Sequence, residues 1–123
     1  MHNPASYFEI PVSNLKRATV FYSEVFGYDF EFEEIHGNQM ALFPFSNDKP
    51  GITGALAQGD IYKPTKEGTL IYFHVRDIST TLLMITKNGG KILFPKTEVG
   101  SYGYVAEFED SEGNRVGLFE PRK

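Results

Sequence analysis

At 123 residues the chain is long enough to bury one sizeable core and too short for two independent domains, so any modules within it must share that core. A formal net charge of -4, from 12 Lys and Arg against 16 Asp and Glu, leaves no basic stripe to neutralise phosphates and argues against a nucleic-acid partner. With no cysteine, disulfides, thiolate metal sites and thiol nucleophiles are all excluded; no apolar run reaches membrane-spanning length and the start lacks the order of a secretion signal, so the expectation is a cytoplasmic protein.

Residues Tyr7 to Val12 alternate and predict a strand with Phe8, Ile10 and Val12 on one face. Ser13 or Asn14 can cap a helix from Leu15 to Phe26, whose Leu15, Ala18, Phe21, Tyr22, Val25 and Phe26 recur at helical spacing, and Gly27 sits where a helix stops. A second alternating strand is predicted from Tyr28 to Glu33, and the turn His36-Gly37-Asn38 leads into a third from Gln39 to Phe45. A turn through Ser46 to Gly51 precedes a fourth strand, Ile52 to Ala57. The polar stretch 58–68, with Gly59, Pro64 and Gly68, reads as a linker. The order then repeats. Thr69 to Val75 is a strand, Asp77 caps a helix to about Asn88 that ends at Gly89-Gly90, and Lys91 to Phe94 is a short strand. Pro95 to Gly103 reads as a punctuated loop that could move over a pocket, before strands from Tyr102 to Glu109 and from Val116 to Glu120 joined by the turn Asp110-Ser111-Glu112-Gly113-Asn114.

The second half overlies the first at an offset of about 63 positions, long enough for a whole supersecondary module. Phe8, Ile10 and Val12 fall on Ile71, Phe73 and Val75, Gly27 on Gly90, Phe45 on Phe108 and Gly54 on Gly117. The expected architecture is therefore α+β, a single domain of two βαβββ modules forming a cupped mixed sheet. Module one covers about 5–57, the linker 58–68 and module two about 69–121.

The run Phe8-Glu9-Ile10-Pro11-Val12, then Ala18 and Phe21-Tyr22-Ser23-Glu24-Val25-Phe26-Gly27, with Asp110-Ser111-Glu112-Gly113-Asn114-Arg115 near the end, resembles the vicinal oxygen chelate superfamily. The resemblance covers essentially the whole chain and is nearest to the glyoxalase and bleomycin-resistance-like members related to lactoylglutathione lyase. It implies a homodimer with a small-molecule pocket. In such enzymes His, Gln or Glu side chains from the first and last strand of each module hold a divalent metal. Carried onto this sequence, those positions fall at Tyr7, Gly54, Leu70 and Gly117, none a usual ligand. The expectation is that the usual metal site is absent and that no cofactor is needed, with a divalent metal as the second reading.

If Phe8, Ile10 and Val12 pack under the helices, Tyr7 and Glu9 point into the cup, and by the repeat so do Leu70, Tyr72 and His74. Alternation adds Val105 and Glu107. Glu9, His74 and Glu107 are the candidate catalytic residues, a carboxylate serving as proton acceptor with His74 as partner. The competing reading makes Glu9 and Glu107 partly solvated residues held by Arg or Lys, His74 a hydrogen-bonded structural residue, and Tyr7 and Tyr72 pocket wall. Used for binding, an acidic aromatic-lined cavity suits a cationic or flat aromatic ligand. No Ser-His-Asp order, phosphate loop or dinucleotide fingerprint is present, and the acidic run Glu31, Glu33, Glu34 reads as a solvated face. Three functions stay open: a small-molecule-binding protein of the glyoxalase and bleomycin-resistance type, a metal-dependent lyase, isomerase or dioxygenase with ligands from nonstandard positions, and a non-enzymatic structural or regulatory partner.

Overall fold

The computed structural model describes residues 1–123. Module one comprises β1 (Phe8–Pro11), α1 (Leu15–Phe26), β2 (Glu31–Ile35), β3 (Asn38–Leu42) and β4 (Gly54–Gln58); module two comprises β5 (Tyr72–His74), α2 (Ile78–Lys87), β6 (Lys91–Val99), β7 (Gly103–Glu109) and β8 (Arg115–Pro121). Each module forms its own four-stranded sheet, in the orders β1-β4-β3-β2 and β5-β8-β7-β6. In both, the first strand runs parallel to the last and the remaining pairs are antiparallel. This is the two-module α+β fold.

The helix ends are set locally. Asn14 accepts a hydrogen bond from Arg17 N at the start of α1, and Gly27 closes it in the left-handed region at φ 78°, where a side chain would be strained. Asp77 caps α2 in the same way through Thr80 N. The last strand of each sheet adds a further acceptor to its own helix: Gln58 Oε1 takes the Leu15 N–H at 2.7 Å and Glu120 Oε1 takes that of Ile78 at 2.8 Å. These side chains satisfy first-turn amides that no helical carbonyl can reach.

Both sheets turn one face inward onto a single cluster that includes Ile10, Val12, Phe21, Tyr22 and Leu56 from module one and Phe73, Ile85, Ala106, Phe108 and Leu118 from module two. Phe73 couples them. Its ring lies 5.3 to 6.2 Å from those of Phe8, Tyr22, Phe26, Tyr28 and Phe43, all in module one. Tilted and edge-to-face contacts of this kind add to the area they bury.

The turn after β7 locks the same junction. Glu112 accepts from the backbone N–H groups of Ser13 and Asn14, both at 2.9 Å, and from Arg17 Nε at 2.7 Å. Asp110 accepts from the Tyr22 hydroxyl at 2.8 Å and from the Asn114 N–H at 2.9 Å. Asn114 donates to the Pro11 carbonyl at 2.7 Å and accepts from Thr65 N at 3.0 Å. Burial pulls the Glu112 carboxyl upward, but the Arg17 guanidinium and the Asn14 and Ser13 amides outweigh it and leave its pKa below the ordinary value. For Asp110 burial wins over its hydrogen bonds, and its pKa is raised.

Several boundaries differ from the expectation. Tyr28 and Phe30 do not open β2; Tyr28 stacks on Phe26 at 5.2 Å and Phe30 packs on Phe43 at 5.0 Å, so core packing takes the residues that alternation assigned to a strand. Pro95 to Val99 is not a loop but the second half of β6, an edge strand that carries its proline between register shifts. The constant offset also fails beyond the helices. Ala41 pairs with Leu56 and Ala106 with Leu118, while Phe43 lies beside Gly54 as Phe108 lies opposite Val116. The counterpart of Phe108 is therefore the buried Phe43 and not the exposed Phe45, and Gly54 is not the counterpart of Gly117.

Two outcomes follow from this shared core. Phe73→Ala is expected to cost about 3–5 kcal/mol, with far-UV circular dichroism and tyrosine fluorescence reporting one coincident urea transition; two separate transitions would mean that the modules do not share a core. Glu112→Gln is expected to cost about 1–3 kcal/mol near pH 7, because an amide loses the Arg17 pairing and half of its acceptors. Since the folded carboxyl titrates below its unfolded counterpart, its contribution is present above the unfolded pKa and is lost as pH falls through the folded one. Denaturation curves for the two proteins should therefore converge as pH falls through the folded pKa.

Candidate functional site

The side chains opposite the core define the outward face of each sheet. On the first, β1 places Glu9 beside Ala55 and Pro11 beside Ala57, with Met40 and Leu42 next along the row. Met40, Ala55 and Ala57 are buried there under Leu42 and Tyr62. Tyr62 belongs to the linker, and its hydroxyl donates to Glu9 Oε1 at 2.8 Å, while the Tyr7 hydroxyl donates to Glu9 Oε2 at 3.2 Å. A carboxylate flanked by two phenols thus stands at the edge of an apolar patch that Leu42 and Tyr62 cover. Burial, followed by the Glu9 charge and hydrogen bond, pushes the Tyr7 phenol up to about 12. The Tyr62 phenol is raised too, first by its hydrogen bond to Glu9.

On the second sheet the register gathers two rows. Tyr72, Gly117 and Glu107 lie across β5, β8 and β7, and His74, Phe119 and Val105 form the next row. The Tyr72 ring lies directly on Gly117, with ring carbons 2.5 to 2.8 Å from where a β-carbon would stand. The His74 and Phe119 ring centroids are 6.4 Å apart. Glu107 is held by Arg115, whose Nε donates to it at 2.6 Å. Leu70 precedes β5 and lines a cleft with Tyr72 and His74.

The sequence reading placed Tyr7, Glu9, Tyr72, His74 and Glu107 in one cavity. Within the chain Glu9, Glu107, Tyr72 and His74 line three hollows, and Tyr7 lines none of them. Glu9 faces one with Thr69 and Asn114; Glu107 faces one with Lys66 and Phe94; Tyr72 and His74 face the third. The first two meet at Arg115, which lines both. The cause is the gap between the edge strands β1 and β5, which belong to separate sheets; the end of the linker runs there, tied by Thr65 N to Asn114 and by Arg115 N to the Thr65 carbonyl.

Gly54 also leaves the expected set. A β-carbon on it would run into Phe8, so it faces the core, and the β4 positions on the Glu9 face are Ala55 and Ala57. The divalent metal that the fold family implies does not fit the residues of this chain. Tyr7, Leu70, Ala55 and Gly117 offer no imidazole or carboxylate, no three His, Cys, Asp or Glu side chains come together, and Glu9 and Glu107 already carry partners. Sequence reasoning missed Tyr62 and Arg115. The signal for the first was an aromatic in an otherwise polar, Gly- and Pro-punctuated linker; for the second it was the basic residue that closes the Asp110 to Asn114 turn.

Comparison with known proteins now identifies the class. The profile of the Glyoxalase/Bleomycin resistance protein/Dioxygenase superfamily matches residues 5–118, and the chain belongs to that family. It is 31% identical over 118 residues to a glyoxylase-like domain-containing protein from Didymella fabae, covering 93% of this chain and 91% of that one. Among solved structures, a glyoxylase/bleomycin resistance protein/dioxygenase domain from Frankia sp. EAN1pec superposes with a TM-score of 0.75 at 16% identity, over 99% of this chain and 100% of that one. TnmS3, an antibiotic binding protein from Streptomyces sp. CB03234, superposes with a TM-score of 0.67 at 21% identity, over 98% and 100%. At these identities the two structures share the fold.

The Glu9 cluster gives a direct spectroscopic expectation. Tyrosinate absorbance should show a component titrating near 12 that Glu9→Gln moves down toward the ordinary value without reaching it, because burial remains the larger cause. An unchanged titration in Glu9→Gln would mean that the carboxylate does not govern Tyr7.

Proposed function

We propose that the chain is a small-molecule-binding protein of the glyoxalase and bleomycin-resistance type, a cytoplasmic homodimer that holds a flat cationic ligand on the Glu9 face. The observation that carries this reading is the Glu9 carboxylate between the Tyr7 and Tyr62 phenols at the edge of the Met40, Ala55 and Ala57 floor. The carboxylate supplies the counter-charge, and the phenols supply faces for a flat cation. The likeness to an antibiotic binding protein agrees with capture of an organic ligand.

Catalysis is supported less well than binding. Glu107 is paired with Arg115, and neither it nor His74 lies in the hollow of Glu9, so the chain does not assemble the three into an acid-base unit. A second copy is favoured by the apolar edge of module two, where Ile92, Leu93 and Phe94 of β6 are 40 to 48% exposed.

Sedimentation velocity at micromolar concentration should show a dimer; a monomer alone removes that part of the reading. A flat fluorescent cation, 9-aminoacridine, should bind saturably, and Glu9→Gln should weaken it about 5- to 20-fold while leaving thermal unfolding close to wild type. Equal affinity in the two proteins would end the proposal for this face.

A further inference from the structure

A cleft of about 460 Å³ lies elsewhere, along the seam between the modules. Module one contributes Phe8, Tyr28, Phe43 and the turn Pro50 to Thr53; module two contributes Leu70 to His74. The volume falls within the range of small-molecule sites. Its walls are mainly aromatic and aliphatic, and no Asp, Glu, Lys or Arg lines it. The rings of Phe8, Phe43 and Phe73 stand 5.4 to 5.9 Å apart at interplanar angles from 49° to 86° and form a packed aromatic floor beneath the cleft. The turn that forms the outer wall is tied down by the Thr53 hydroxyl, which donates to the Phe43 and Pro44 carbonyls at 3.3 and 3.1 Å.

Three polar groups in this wall make no hydrogen bond within the fold, the Tyr28 and Tyr72 hydroxyls and the His74 ring, and of these Tyr28 alone is half-buried. The Tyr28 ring is fixed by stacking on Phe26, at an interplanar angle of 8°, and by an edge-to-face contact with Phe43. No protein group pairs with its hydroxyl, and it is not among fully buried atoms lacking a partner, so the hydroxyl keeps access to open space. Burial alone raises its pKa, which keeps it protonated and able to donate. A fixed ring carrying an unused donor beside an uncharged aromatic cleft is the arrangement that orients a ligand through one hydrogen bond.

We infer that this seam cleft is a second ligand site, separate from the Glu9 face, which takes a flat, neutral aromatic molecule carrying a hydrogen-bond acceptor for the Tyr28 hydroxyl. The ligand's rings pack against Phe8, Ile52 and Tyr72, the apolar side chains of the cleft that keep open surface, and the acceptor meets Tyr28. A cationic ligand would meet no counter-charge there, since no carboxylate lines the cleft.

The probe is prodan, a neutral naphthyl ketone whose emission reports polarity and hydrogen bonding to its carbonyl. The wild-type chain should bind it saturably. Tyr28→Phe, which removes a hydroxyl that no protein group uses, should weaken binding about 2- to 10-fold and shift the bound emission to the blue as the carbonyl loses its donor. Ile52→Trp, at a residue 43% exposed in the turn, should fill the cleft and abolish saturable binding without changing thermal unfolding. Glu9→Gln should leave prodan affinity unchanged, so the site succeeds or fails independently of the cation-binding face. The inference is overturned if the wild-type chain does not bind prodan saturably, if Ile52→Trp and Tyr28→Phe both bind it as tightly as wild type, or if Glu9→Gln weakens it as much as they do.

Discussion

Everything in this molecule depends on how a hairpin turn of the second module is seated against the first helix. Glu112 has a side chain with no solvent exposure, yet each of its oxygens is occupied by donors from the other module. Two are backbone amides at the N-terminal end of α1, which carries partial positive charge, and one is a guanidinium. A buried carboxylate with fewer partners would be costly to retain; with this set it fixes the angle at which one module meets the other. The same turn reaches Tyr22 through Asp110 and β1 through Asn114, so three directions are specified at once. Phe73 can occupy its ring of five aromatics only in that orientation.

Much of this was written locally. The alternation of Phe8, Ile10 and Val12, the caps Asn14 and Asp77, the stop at Gly27 and the turn from Asp110 to Asn114 are short-range signals, and each lies where the sequence indicated. What escaped was decided at longer range. Tyr28 and Phe30 alternate like a strand but gain more from stacking in the core, and Pro95 is admitted to β6 because an edge strand with bulges needs no ladder donor there. Register escaped for a related reason. Gly54 and Gly117 share a spacing from the first strands, but strand pairing is set by which residues bury, and Leu56 and Leu118 are the pair that do so.

The functional surfaces show the same division. Strand alternation put Tyr7, Glu9, Tyr72, His74, Val105 and Glu107 opposite the core in one cup; the registers place Glu9 on the first sheet and gather Tyr72, His74, Val105 and Glu107 on the second. Alternation cannot say whether two faces meet. That is determined by the gap between β1 and β5, which the end of the linker occupies, and nothing in the spacing of either strand reports it. Tyr62 and Tyr28 were invisible for opposite reasons. One lies in a segment that looked like mere connection, the other in a segment that looked like regular strand.

The placement of Tyr62 changes what the connection between the modules is. A tether only has to span a distance, so its sequence is free and it can be cut or replaced without touching either end. Here the segment between β4 and β5 carries one wall of the Glu9 face, and its far end pairs with Asn114 and Arg115. From that segment only Ile71, at its far end, packs against the core that unites the modules. A chain cut between Asp60 and Lys63 would keep the helices, both sheets and the hairpin lock, yet Tyr62 would then lie at a free terminus. Such a cut chain separates inheritance of the fold from inheritance of the site: the first travels with the two modules, the second with the piece between them.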